Sequence, residues 1–314
     1  MPGYRVVVSD QVFPSVEVER RLLGEIDAEL EVANGTVEDL RARAADADAI
    51  LNTYLPINAA TIAALPRCRI VARYGIGVDN VDVRAAADAG ITVTNVPDYS
   101  IQEVGAHALA LILAVLRKIP QSDAKIRAGG WGLDGLRPMR RVSELTFGLL
   151  GYGKIARQLA RSIEALGGTI LAHDPYLSAG PGIPELVSLD ALLERSDVLS
   201  VHAPLTPETR GLIDAAAIAR MPRGSILVNT SRGPLVVLED VVAALREGHL
   251  SGAALDVFDR EPLDPARIEG VPNLIVTPHT GYYSEESIAE SQRKAATQVI
   301  KVLTGMQPDY PVRP

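Results

Sequence analysis

The chain has 314 residues, 47% hydrophobic and 22% charged, enough apolar material for about two ordinary domains and far from the composition of disordered chains. A formal charge of −8 argues against an extended nucleic-acid or anionic-membrane surface, and Cys68 as the single cysteine excludes an intrachain disulfide or a cysteine metal cluster. The longest apolar run, 108–116, has nine residues, less than half a membrane span, and the start Met1-Pro2-Gly3-Tyr4-Arg5 reads as the approach to a buried strand rather than a signal peptide, so a soluble, cytoplasmic protein is expected.

Short apolar runs rich in β-branched residues alternate with Ala-rich helical stretches almost from end to end. Strands are predicted over 5–9, 49–53, 70–74 and 92–95, then over 147–150, 169–173, 198–202, 226–230, 253–257 and 274–277. Most are apolar throughout rather than alternating, as strands covered on both faces are. Helices are predicted between them, among others over 81–89, 154–166 and 239–246. The βαβα rhythm implies a parallel sheet with helices on both sides. Two longer helices stand out. The first, 100–118, opens on Ser100 as N-cap with Glu103 three residues on; the second, 284–303, opens on Ser284-Glu285-Glu286-Ser287 and closes before Gly305. Each follows a turn, Pro97-Asp98-Tyr99 or Gly281-Tyr282-Tyr283, and these turns are read as the passages between two domains. Residues 1–98 with 285–314 would form one domain and 99–284 the other. One continuous sheet is the plainer alternative.

Phe147-Gly148-Leu149-Leu150-Gly151-Tyr152-Gly153-Lys154-Ile155-Ala156 reads as a strand, a glycine turn and a helix start. Gly151 permits the tight turn, Gly153 lets backbone N–H groups approach a pyrophosphate, and Ala156 fits where helix and strand pack closely. The next strand ends in His173-Asp174, with Asp174 21 residues after Gly153. A carboxylate there accepts from both ribose hydroxyls and repels a 2′-phosphate, which favours NAD over NADP. An ordinary βα turn with a surface aspartate is the competing reading.

Ligands of open parallel sheets sit outside the carboxyl ends of the strands. Strand 226–230 runs into Ser231-Arg232-Gly233, strand 253–257 contains Asp256 and leads to Glu261, and strand 274–277 ends in Pro278-His279-Thr280-Gly281. A cation, a carboxylate and an imidazole therefore leave one rim. That is the set a hydride-transfer enzyme for a hydroxy acid needs: His279 as acid and base, Glu261 to favour its imidazolium form and hold the ring, Arg232 to grip a substrate carboxylate or carbonyl. Taken singly, Glu261 also reads as a solvated loop carboxylate and Arg232 as a cap for a helix C-terminus. His202 ends a strand on the same rim and either lines a cofactor cleft or only packs. His107 reads as a packed interface histidine, no histidine pair has zinc-ligand spacing, and Cys68 reads as a small core or surface thiol.

With Ala72-Arg73-Tyr74-Gly75-Ile76-Gly77-Val78-Asp79-Asn80-Val81-Asp82, the glycine turn, Val228-Asn229-Thr230-Ser231-Arg232-Gly233, Ala254-Leu255-Asp256-Val257-Phe258 and Thr277-Pro278-His279-Thr280, the chain resembles the D-isomer-specific 2-hydroxyacid dehydrogenases over essentially its whole length. The resemblance implies an α/β fold of two doubly wound parallel-sheet domains, a Rossmann-type cofactor domain and a flavodoxin-like substrate domain, with the active-site cleft between them. It also implies a homodimer built on the cofactor domain, to which helix 100–118 would give a partner surface. The family's catalytic Arg, Glu and His fall on Arg232, Glu261 and His279. NAD contacts fall on Gly151, Gly153, Lys154, Ile155, Ala156, Asp174, His202, Pro204, Thr209, Thr230, Ser231 and Gly281, with Asp256 at the nicotinamide carboxamide. Substrate contacts fall on Tyr74, Gly75, Ile76, Gly77, Arg232 and Tyr282, the loop 75–78 offering backbone N–H groups to a carboxylate.

Within the family, Asn95-Val96-Pro97-Asp98-Tyr99 and Tyr282-Tyr283-Ser284-Glu285 look most like the branch of the C-terminal binding proteins and their bacterial relatives. Many of those carry a tryptophan where this chain has Tyr282, so a preference resting on that tryptophan does not carry over. Glu261 speaks against formate, whose oxidising members pair their histidine with glutamine. The sequence ends at Pro314, so the regulatory domain of long phosphoglycerate dehydrogenases is not expected. The expected activity is that of an NAD-dependent D-2-hydroxyacid dehydrogenase acting on a small 2-keto or 2-hydroxy acid, with side-chain preference set by cleft walls such as Asn52, Tyr54, Leu55 and Tyr282. The alternatives are an NAD(H)-sensing adaptor like the C-terminal binding proteins, a short phosphoglycerate dehydrogenase, and an NADP-dependent glyoxylate or hydroxypyruvate reductase.

Overall fold

The computed structural model describes residues 3–314; Met1 and Pro2, which the sequence reading counts into the first domain, lie outside them. Two compact units form: one runs to Tyr99 and resumes over Ser284–Pro314, the other is Ser100–Tyr283. Each has its own sheet, so the chain is an α/β protein with two parallel-sheet units and not one continuous sheet.

In the first unit the strands are β1 (Tyr4–Val8), β2 (Ala28–Val32), β3 (Ala49–Asn52), β4 (Ile70–Arg73) and β5 (Thr92–Thr94). They pair in the order β2-β1-β3-β4-β5, all parallel, and the two-residue strand Pro311–Val312 adds antiparallel to β5. That is the flavodoxin-like order, which reverses direction between β1 and β3. Val7, Ile50, Leu51 and Val71 are fully buried, as strands covered on both faces require. Helix Glu285–Leu303 packs on β3 and β4 beside helix Glu17–Gly24. Its start is fixed by Ser284, whose side chain accepts the N–H of Ser287 while the Ser287 hydroxyl accepts the N–H of Ser284.

The second unit carries β6 (Thr146–Leu150), β7 (Thr169–His173), β8 (Glu185–Leu186), β9 (Val198–Val201), β10 (Ser225–Asn229), β11 (Leu250–Leu255) and β12 (Leu274–Val276). The order is β8-β7-β6-β9-β10-β11-β12, all parallel. It is the dinucleotide-binding order with a strand added, and it reverses between β6 and β9. Helix Ile101–Leu116 packs on helix Lys154–Ala165 and on β10 and β11.

One expectation about that helix is corrected. Ser100 makes no capping bond; its hydroxyl is buried without a partner among the described residues. One face of the helix, with Ala108, Leu111, Ile112, Val115 and Leu116, is buried in the core of its own unit. Exposed apolar side chains follow the helix at Ile119, Ile126, Leu133 and Trp131, the last 86% exposed. No helix among the described residues is long and apolar enough to cross a membrane.

Candidate active site

At the reversal point of the second sheet, β6 ends in the glycine turn. Gly151 has φ 88°, and a Cβ there would stand 2.9 Å from the backbone of His202 and Ala203 at the end of β9. Only glycine allows both the left-handed turn and this approach of the two strand ends. Gly153, in contrast, has ordinary backbone angles and open space where a Cβ would be. It starts helix Lys154–Ala165, whose first-turn N–H groups have no partner within the helix. Lys154 is exposed and Ile155 half-buried, while Ala156 is fully buried under the turn. Open space beside free N–H donors at a helix start fits a pyrophosphate.

Asp174 stands just beyond β7 and binds the N–H of Tyr152 with one oxygen and that of Tyr176 with the other, each at 3.0 Å. It thus braces the glycine turn and keeps lone pairs for ribose hydroxyls. The hydroxyl of Thr230, buried at the end of β10, has no partner among the described residues. Ser231 donates to the carbonyl of Ala203 at 2.6 Å, tying the ends of β10 and β9. Thr209 donates to the Pro204 carbonyl at 2.7 Å and accepts the Thr206 N–H at 2.8 Å, so its hydroxyl shapes the loop after β9. His202 is hydrogen-bonded to Ser200 at 2.8 Å, and burial pushes its imidazole down to about 4. It is therefore neutral at ordinary pH.

Further along the same rim, His279 and Glu261 meet: Nδ1 lies 2.8 Å from Oε2. The other Glu261 oxygen accepts the Phe258 N–H at 2.9 Å. Burial works to raise the Glu261 carboxyl, but the hydrogen bond and charge of His279 and the Phe258 N–H outweigh it and hold it below the usual carboxylate range. Glu261 is thus an ionised acceptor, and Nδ1 of His279 carries the proton between them. Arg232 joins this pair through the backbone. A Cβ on Gly233 would fall 1.9 Å from the Phe258 carbonyl carbon, so the Arg232-Gly233 turn lies directly against the segment that holds Glu261. Asn229, which the sequence places in the motif without a role of its own, builds that turn: its side chain accepts the Ser231 N–H at 3.0 Å and donates to the Arg232 carbonyl at 2.9 Å. An Asx-turn was legible in Asn229-Thr230-Ser231.

Asp256 follows β11 directly and is 2% exposed. Its Oδ1 accepts the Thr277 hydroxyl at 2.6 Å and the Thr280 N–H at 2.9 Å, and its Oδ2 accepts the Gly281 N–H at 2.9 Å. Burial acts to raise this carboxyl too, but these bonds and one from His107 hold it below its ordinary value. Gly281 gives its N–H to this carboxylate. His107 belongs to the network, with Nε2 3.1 Å from the Thr277 hydroxyl and 3.4 Å from Asp256. The reading of His107 as only a packed histidine thus leaves out these hydrogen bonds inside its own unit. The ring of Tyr282 stands edge-on to that of His279, 6.0 Å between centroids.

In the first unit, the loop after β4 has its carbonyls engaged: Val96 N–H reaches Gly75 at 3.0 Å and the Asn95 side chain reaches Ile76 at 2.7 Å. No group among the described residues takes the N–H of Gly75, Ile76 or Gly77, so this stretch keeps donors for an anion. Tyr74 does not fit a substrate contact. It is 2% exposed, its hydroxyl donates to Glu19 at 2.7 Å, its N–H goes to Asn52, and its carbonyl accepts from Ser291. Asn52 is likewise corrected as a cleft wall, since its buried side chain bonds Ser9, Leu55 and Asn80. Leu55 is buried and Tyr54 exposed. Burial pushes the Cys68 thiol up to about 12, so it is no nucleophile.

Residues 109–281 match the NAD binding domain of the D-isomer specific 2-hydroxyacid dehydrogenases. The D-3-phosphoglycerate dehydrogenase of Mycobacterium tuberculosis is 40% identical over 300 residues, 94% of this chain but 55% of that protein; the chain spans about half the length of such relatives. A glyoxylate reductase of Korarchaeum cryptofilum is 34% identical, with 95% of this chain and 94% of that protein aligned. A D-lactate dehydrogenase of Aquifex aeolicus, solved with NAD and lactic acid, is similar with a TM-score of 0.88 at 25% identity over 96% of both chains.

Proposed function

The chain belongs to the D-isomer specific 2-hydroxyacid dehydrogenase family, and from that premise we propose that it interconverts a small D-2-hydroxy acid and the matching 2-keto acid with NAD. The observation that carries the reading is the His279–Glu261 pair at 2.8 Å, on the same sheet rim as a glycine turn open to a pyrophosphate. NADH, when bound, supplies the hydride. As the keto carbon is reduced, its oxygen gathers negative charge and takes the proton of His279 Nε2; Glu261 keeps Nδ1 protonated and the ring in place. In the other direction His279 removes the hydroxyl proton. Arg232 offers a forked set of donors to a carboxylate or carbonyl; within the first unit, the N–H groups of Gly75, Ile76 and Gly77 are donors for a carboxylate. The first unit is thus assigned to substrate and the second to cofactor. Lys154 and Ile155 would add to the pyrophosphate seat, Thr230 and Ser231 to the nicotinamide side, and Asp256 to its carboxamide.

Asp174 supports NAD over NADP, and Asp174→Ser is expected to narrow the difference in affinity between NADH and NADPH. Relatives with different substrate names leave the acid open, so the test is a reductase screen of 2-keto acids, glyoxylate, hydroxypyruvate and phosphohydroxypyruvate included, with NADH and NADPH. Turnover of at least one acid that is lost in His279→Ala supports the reading. Near-normal turnover by His279→Ala would overturn the acid–base assignment. Tight NADH binding with no turnover on any acid, and capture of a peptide partner, would favour an adaptor instead.

A further inference from the structure

The hydrogen-bond chemistry around Thr277 settles a direction. Its hydroxyl has one proton and lies 2.6 Å from Asp256 Oδ1, an ionised carboxylate, so the proton is donated there. The contact of 3.1 Å with His107 must then run the other way: Nε2–H of His107 donates to the Thr277 oxygen, with Asp256 Oδ1 a further 3.4 Å acceptor. The same Asp256 grips the segment carrying His279 at three points, through the N–H groups of Thr280 and Gly281 and, with its own carbonyl, the N–H of His279 at 2.8 Å. His279 sits at φ 54°, an uncommon angle for a residue with a Cβ, so its direction depends on what holds the segment. His107 also packs on it: a Cβ at Gly281 would come within 3.2 Å of the His107 ring and 2.9 Å of Asp256 Oδ2.

We propose that His107 is a positioning residue for His279, acting through Thr277 and Asp256 from the helix Ile101–Leu116. The inference rests on the reading of His279 as the proton donor. His107 touches no reacting atom; it keeps Thr277 oriented, Thr277 keeps the Asp256 carboxylate in place, and Asp256 fixes the turn that presents the imidazole to Glu261.

The experiment compares His107→Leu, which removes the donor, with His107→Gln, whose amide nitrogen restores one near the same place. With a competent 2-keto acid, His107→Leu is expected to lower kcat about tenfold to a hundredfold, the cost of an ångström-scale misplacement, and His107→Gln recovers most of kcat. Thr277→Val should follow the leucine variant and Thr277→Ser the wild type, which keeps the test open if His107→Leu does not fold. A crystal structure of His107→Leu should show the His279–Glu261 contact, 2.8 Å here, opened beyond about 3.5 Å. Equal kcat in wild type and His107→Leu, or equal losses in the leucine and glutamine variants, would overturn the proposal. A wild type without turnover would defeat the functional reading alone, since the crystal structure still decides whether His107 places His279.

Discussion

The contact between His279 Nδ1 and Glu261 ties ring orientation to charge. Glu261→Gln keeps the shape but removes the ionised acceptor of Nδ1. Its kcat for reduction is expected to fall about tenfold to a hundredfold. Turnover equal to that of the wild type would mean that Glu261 has no part in the reaction. His202 gives a pH effect. Its imidazole sits at about 4 in the folded chain, against about 6.5 when unfolded. The unfolded state therefore binds more protons below that value, and stability is complete above about pH 6.5 and falls as pH drops toward 4. The depressed carboxyls of Glu261 and Asp256 act in a lower window, losing their contribution as pH falls through their folded values. Thermal melts of wild type and His202→Gln across pH 4–7 should separate the two, the variant showing the shallower slope. Arg232, Glu261 and His279 were legible because each lies just past a strand. His107 was not, because helical periodicity cannot show that its ring meets a hydroxyl 170 residues away in the chain.

Among elements, the glycine turn gives the sharpest contrast. Gly151→Ala places a Cβ at φ 88° and against the His202–Ala203 backbone, with an expected loss of about 1–3 kcal/mol of stability. Gly153→Ala meets open space and should melt like the wild type while weakening NADH binding at least about tenfold, because the methyl stands where a pyrophosphate must approach. Thermal melts and an NADH fluorescence titration check both; equal melting losses would remove the distinction. The buried strands were plain in the sequence as apolar runs. β2 was not, since Glu29 and Glu31 interrupt it at the sheet edge, and neither were β8 and Pro311–Val312, two residues each. β11 runs over Leu250–Leu255 rather than the predicted 253–257, and its earlier end puts Asp256 just beyond the strand, where it ties the next segment.

At the scale of the molecule, Ile119, Ile126, Leu133 and the 86%-exposed Trp131 leave apolar side chains exposed on the second unit, and the expectation of a homodimer is tested at this stretch. Light scattering is expected to give the mass of two chains for the wild type and a shift toward one for Trp131→Glu; an unshifted dimer would place the contact elsewhere. By itself the sequence determined the alternation of strand and helix, the glycine turn and which polar residues leave strand ends, because apolar runs, glycines and strand-end charges are local and follow from neighbours in the chain. Only the tertiary structure decided that Tyr74 turns its hydroxyl to Glu19, that the long apolar helix is core, and that Thr277 joins His107 to Asp256. Those outcomes depend on which strand ends lie side by side once β6 to β12 are stacked in the order that reverses between β6 and β9. A hydrogen bond is made over about 3 Å, and no spacing along a chain fixes a distance that small between residues brought together by a fold.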